Sequence, residues 1–134
     1  MDRSALIERL EGFFRHRPQG LVAVYLFGSR ARGGGRDGSD VDLGLLFAEE
    51  PPVALGGPAE RIADALEREL GLPVEAVVLS RAPADLVHRV LRDGVLVLET
   101  DRSARIRFEV ARRREYLDLL PVLREYRHRQ RSAS

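Results

Sequence analysis

The sequence predicts an α/β fold: a small mixed sheet of three to four strands flanked by helices. Three observations carry this. Apolar runs of strand length, Leu21–Phe27, Val41–Phe47 and Val74–Leu79, are bounded by Gly, Pro and Asp. Between and around them, apolar residues recur at helical spacing. A chain of 134 residues, 44% hydrophobic and 32% charged, suits one globular domain with a proper core and is too short for two ordinary ones.

The first element reads as an amphipathic helix from about Ser4 to His16. Leu6, Ile7, Leu10, Phe13 and Phe14 share a face, and Asp2 with Ser4 offers a cap. Pro18-Gln19-Gly20 breaks it, leaving His16 as a surface residue. Leu21–Phe27 and Val41–Phe47 form a hairpin-like pair of strands. Residues 48–57 are an irregular loop; Pro58 opens a helix that stacks Ile62, Leu66 and Leu70, and Gly71 closes it. Val74–Leu79 is the third strand. Leu86, Val87, Val90 and Leu91 mark a short helix ended by Gly94. Val95–Leu98 is either a fourth strand or a core-packing extension. From Asp101 to about Arg131 the pattern is helical, with Ile106, Phe108, Val110, Tyr116, Leu117, Leu120, Leu123 and Tyr126 as the buried or docking set. Pro121 is expected to kink or split this helix. Two regions result: residues 1–100 as the main domain, and 101–134 as a helical extension packed on it.

Composition narrows the chemistry. Cysteine is absent, which excludes disulfides, thiolate catalysis and a Cys-based zinc site. All 22 basic residues are Arg, so a Schiff-base lysine and a P-loop lysine are excluded as well. No segment approaches the apolar length of a membrane span, and no signal peptide is visible, so a cytoplasmic setting is expected. The net charge of +1 conceals an asymmetry. Residues 1–100 hold 12 Arg against 16 acids, net −4, and residues 101–134 hold 10 Arg against 5 acids, net +5. A basic C-terminal third suits a solvated helix, an acidic partner or nucleic acid.

The stretch with chemistry in it is Gly28-Ser29-Arg30-Ala31-Arg32-Gly33, followed after a Gly-rich loop by Ser39-Asp40-Val41-Asp42. Period two puts Asp40 and Asp42 on one face of the second strand, and Val41, Leu43, Leu45 and Phe47 on the core face. Two carboxylates side by side repel each other, so a fold that keeps them needs a cation between them. The hard, oxygen-preferring choice is Mg²⁺, which takes one or two carboxylates plus substrate phosphates. Gly28 and Ser29, where a strand ends and a helix begins, are placed to receive a phosphate on backbone N–H groups. Together these are the equipment for in-line nucleotidyl transfer, in which two metal ions clamp the attacking and leaving oxygens.

Gly-Ser, ten residues, then Asp-x-Asp resembles the signature of the nucleotidyltransferase superfamily that includes DNA polymerase β and the aminoglycoside nucleotidyltransferases. In its short length the chain resembles the minimal nucleotidyltransferases (MNT), above all the antitoxins paired with HEPN-domain ribonucleases. The runs Val74–Pro83, Val90–Gly94 and Tyr116–Pro121 are similar to that group too, so the resemblance spans about Leu21 to Tyr126. It implies a polymerase β-like fold, residues 1–100 as the nucleotidyltransferase domain, and residues 101–134 as a partner-docking region with Tyr116 or Tyr126 exposed.

Polymerase-type sites carry a third acid on a neighbouring strand. In Val74-Glu75-Ala76-Val77-Val78, alternation turns 74, 76 and 78 to the core and Glu75 to the side of Asp40 and Asp42. The family usually has Asp here; Glu is one methylene longer. Asp40, Asp42 and Glu75 are therefore the expected catalytic and metal-binding set, for two Mg²⁺ ions. Gly28, Ser29, Arg30, Arg32 and Ser39 are the expected nucleotide-binding set, the arginines offering charge to a triphosphate. His88 and His128 read as surface residues.

The resemblance implies that AMP passes from ATP to a tyrosine of a cognate HEPN toxin, within a type VII toxin–antitoxin pair. A non-catalytic antitoxin that acts by occlusion is the alternative, as is transfer to a small molecule, with a homodimer supplying the acceptor pocket. Partners are then a HEPN protein and ATP, in a homodimer or hetero-oligomer, with no membrane. RNA binding through the Arg-rich tail is less favoured and would fall steeply with salt.

Overall fold

The computed structural model of the chain describes residues 1–17, 20–33 and 40–133. Helix α1 (Arg3–Arg15) is capped by Asp2, whose carboxylate accepts from the Ala5 N–H at 2.8 Å. Strands β1 (Leu21–Phe27) and β2 (Val41–Phe47) pair antiparallel, as expected. Helix α2 (Pro58–Leu70) opens on Pro58 and ends where Gly71 turns left-handed, at φ 71°. It is the crossover that lets β3 (Val74–Val78) lie parallel to β2. Leu79 leaves the strand and begins a 3-10 turn to Arg81. Helix α3 (Ala84–Asp93) follows, and then β4 (Val95–Glu99) pairs antiparallel with β1, which decides for the fourth strand. The sheet order is β3-β2-β1-β4.

Alternation along the strands divides the core between the two faces of this sheet. Val24, Leu26, Val41, Leu43, Leu45, Val74 and Val78 point to one face, covered by α1 and α2. Tyr25, Leu46 and Leu79 point to the other with Val87 and Val90 of α3. A register shift between Leu21 and Ala23 turns both Val22 and Ala23 to this second face.

The last helix, α4 (Arg102–Ala133), corrects one expectation. It runs unbroken with Pro121 inside it, so the chain is not split there. Proline removes one hydrogen bond, to the Leu117 carbonyl, but Leu117 is 63% exposed and water can serve that oxygen. The flanking Leu, Arg and Glu are strong helix formers. The first half of α4 packs on the sheet: Ala104 and Phe108 join the second core cluster, and Arg112 donates to the carbonyls of Ser80 (3.1 Å) and Ala82 (2.6 Å). The far half is largely uncovered, with Leu117, Val122 and Tyr126 exposed. Among the described residues no helix is long and apolar enough to cross a membrane.

Candidate active site

A row of three residues crosses the sheet at one end. Asp42 is the register partner of Phe27 on β1 and of Glu75 on β3. Register partners share a face, so the Asp42 and Glu75 carboxyls project together on the α3/α4 side while their neighbours Val41 and Val74 are buried on the other. Asp40 lies one residue before β2 and is exposed. The crowding has an electrostatic signature. Burial, then the charge of Glu75, then that of Asp40 hold the Asp42 carboxyl above the ordinary aspartate range.

Directly after β1, Gly28 adopts φ 76°, and a Cβ built on it would lie 2.3 Å from Asp42 Oδ2. Only glycine allows the turn and the carboxylate to stand this close. The following residues fold back on themselves: the N–H groups of Ala31, Arg32 and Gly33 donate to the carbonyls of Gly28, Ser29 and Arg30 at 3.2–3.4 Å. Over the described residues this is a turn, and the expected helical start does not lengthen into a helix. Gly33, at φ 75°, is a poor helix residue.

These elements line a cavity of about 300 Å³ with Phe27, Gly28, Arg32, Asp42 and Glu75 on the sheet side. Leu86, Arg89 and Asp93 of α3 form its other wall. Arg32 is exposed at the cavity edge, and Ser29 is half-buried on the turn. Arg30 takes a different course: it is only 6% exposed and lines a separate cavity with Asp2, Ser4 and Leu6. The expected Ser39 lies outside the described residues. Among those described, no three His, Cys, Asp or Glu side chains form a closed metal-binding group. The donor chemistry nonetheless fits a hard divalent cation: oxygen ligands only, two of them crowding the third, beside a glycine that leaves room for a phosphate.

Sequence reasoning missed the α3 wall. Leu86, Arg89 and Asp93 are spaced i, i+3, i+7, so they share a face, but that face reads as an ordinary polar helix surface until the cavity is seen. Asp93 is held by its neighbour: Arg92 donates Nε to Oδ1 (3.0 Å) and Nη2 to Oδ2 (2.8 Å), which draws the Asp93 carboxyl below its usual range. Two other expectations change. His88 is not alone, because its ring stacks on Tyr116 at 3.8 Å and 4°. Tyr116 is consequently half-buried, whereas Tyr126 is exposed as expected.

Comparison with known proteins agrees with this fold. Residues 8–103 match the family described as Polymerase beta, Nucleotidyltransferase. A toxin–antitoxin crystal structure with AMP-PNP superposes with a TM-score of 0.68 at 20% identity, over 90% of this chain and 97% of that one. A tri-AMPylated Shewanella oneidensis HEPN toxin in complex with MNT antitoxin gives 0.64 at 17% identity, over 92% and 98%. A protein assigned as a minimal nucleotidyltransferase gives 0.59 at 36% identity, over 71% and 95%. No curated protein matches the sequence significantly. With its strand-end carboxylates, its glycine turn and the match over most of its length, the chain belongs to the polymerase β nucleotidyltransferase family, in the minimal form.

Proposed function

We propose that this chain is a Mg²⁺-dependent nucleotidyltransferase that moves AMP from ATP to a tyrosine hydroxyl of a HEPN-domain ribonuclease, and so acts as the antitoxin of the pair. The observation that carries the reading is the register of Asp42 with Glu75, beside a Gly28 that any side chain would drive into Asp42 Oδ2. The toxin–antitoxin structures with AMP-PNP and with an AMPylated HEPN toxin supply the partner and the nucleotide by likeness.

Asp40, Asp42 and Glu75 would hold the metal. Mg²⁺ bound there supplies charge neutralisation for the carboxylates and for the phosphates of ATP. Gly28 and Ser29 receive the outer phosphates, and Arg32 at the cavity edge adds a bidentate cation; Ser39 remains in the proposed nucleotide set, whereas Arg30, buried beside a separate cavity, leaves it. Glu75 orients the acceptor hydroxyl and takes its proton. The hydroxyl oxygen bonds to the α-phosphorus, the bond from that phosphorus to the bridging oxygen breaks, and pyrophosphate leaves with the electron pair. The far half of α4, with Leu117, Val122 and Tyr126 outward, is the proposed docking face for the partner.

A second reading has one observation in its favour: the third acid is Glu75, one methylene longer than the Asp usual in the family, which suits an antitoxin that acts by occlusion. One experiment separates the two. The protein is incubated with α-labelled ATP, Mg²⁺ and the HEPN protein encoded beside it. Label on a partner tyrosine, lost in the Asp40→Ala/Asp42→Ala double variant together with inhibition, is the expected result. Inhibition that survives the double variant, with no label transferred, supports occlusion.

A further inference from the structure

The acid cavity does not end at α3. Arg89 lines it and also lines a second cavity of about 340 Å³ between α3 and α4, with Asp85, His88, Arg92, Tyr116 and Arg127. Asp85, His88, Arg89 and Arg92 are spaced i, i+3, i+4, i+7, one continuous face of α3. The His88/Tyr116 stack also lines a third, mainly apolar cavity with Leu91 and Leu117, so the ring pair has open space on two sides. The cations around it are unequally engaged. Arg92 is bound by Asp93, and Arg127 reaches Asp85 at 3.4 Å, both at exposed positions. Arg89 is exposed and forms no ion pair among the described residues.

A flat aromatic pair beside an unengaged guanidinium is the pairing that holds a planar base and its phosphate. The volume falls within the range of a small-molecule site. We infer that the α3–α4 groove is a nucleoside monophosphate site, with the base stacked on the His88/Tyr116 pair and the phosphate on Arg89. It is distinct from the Gly28–Ser29 turn, and the two cavities meet at Arg89. The inference rests on the proposed nucleotidyl transfer only for its place in the reaction, since a monophosphate is what AMP transfer leaves on an acceptor. Its binding chemistry needs neither metal nor turnover.

The test uses the full chain without Mg²⁺, titrated with AMP and read by NMR. The chain has three histidines, and the ring protons of His88 are assigned by their loss in His88→Gln. The expected result is a saturable shift at His88 and the Tyr116 ring and none at His16. Arg89→Ala should weaken it about tenfold and Arg89→Lys recover part of the loss, as for one charge-assisted phosphate contact. Adenosine should bind about tenfold more weakly than AMP by the same contact. The Asp40→Ala/Asp42→Ala variant should bind AMP as wild type does. No shift at His88 up to millimolar AMP overturns the site. So does equal affinity in Arg89→Ala, equal affinity for adenosine, or binding lost only with the two aspartates. Because AMP binding is read without catalysis, a chain that binds AMP here but transfers no label refutes the enzymatic reading and leaves the groove standing.

Discussion

Gly28 and Asp42 are coupled so tightly that either can be used to test the other. Gly28→Ala demands a left-handed backbone of a residue that resists it and places a methyl group on the Asp42 carboxylate. The expected outcome is a loss of about 1–3 kcal/mol in chemical denaturation and loss of Mg·ATP binding by calorimetry. Asp42 itself is a cost to the metal-free fold. Its folded pKa is raised, so the stability it contributes is full below the ordinary carboxylate pKa and lost as pH rises through the raised value. Asp42→Asn should therefore raise the Tm of the metal-free protein at neutral pH, with the two curves converging in acid. Mg²⁺ should stabilise wild type more than the variant. Asp42 and Glu75 were readable from the sequence, because period two along an apolar strand leaves few other directions for a carboxylate. Arg89 was not, since a surface arginine on a helix in an Arg-only protein carries no local mark of the cavity it faces.

At the level of elements, the join between β1 and α4 is a buried polar knot. The Tyr25 hydroxyl donates to Glu109 Oε2 at 3.0 Å, and Glu109 is 8% exposed. Arg105 bonds both Glu109 and Glu99 of β4, and Arg113 reaches Glu109 Oε1 at 3.1 Å. Burial first, then the charge of Glu109, hold the Tyr25 hydroxyl well above the usual phenol range, so it stays protonated and donates. Tyr25→Phe should cost about 1 kcal/mol, because Glu109 keeps its arginines. Glu109→Ala should cost about 2 kcal/mol in urea denaturation, since it leaves the buried Tyr25 hydroxyl without its acceptor while Arg105 keeps Glu99. None of this was legible in the sequence: residues 84 positions apart meet only after the sheet is built. The strands and the caps were legible, being set by neighbours a few residues away. The Val95–Leu98 run stayed ambiguous until β1 was there to pair with it. Pro121 misled for a related reason, as a local rule against proline was outweighed by the helix formers on both sides.

For the molecule as a whole, charge is divided along the chain. Residues 101–134, net +5, contain the whole of α4, while the carboxylates of the cavity sit in residues 1–100, net −4. On the proposed function, with the basic α4 docking on an acidic face of the HEPN partner, association should slow as salt is raised while the proposed AMP transfer within the formed complex changes little; stopped-flow binding and single-turnover transfer measure the two separately. The order of pairing in the sheet carries a kinetic consequence. Phe27 and Asp42 meet across an antiparallel pair of consecutive strands, but Glu75 comes to Asp42 from 33 positions along the chain, through a parallel crossover that must close over α2. Non-local parallel pairing is slow to form. On refolding from denaturant, the cleft is thus completed among the later events, and a chain emerging from synthesis is chemically silent until β3 has been made and docked.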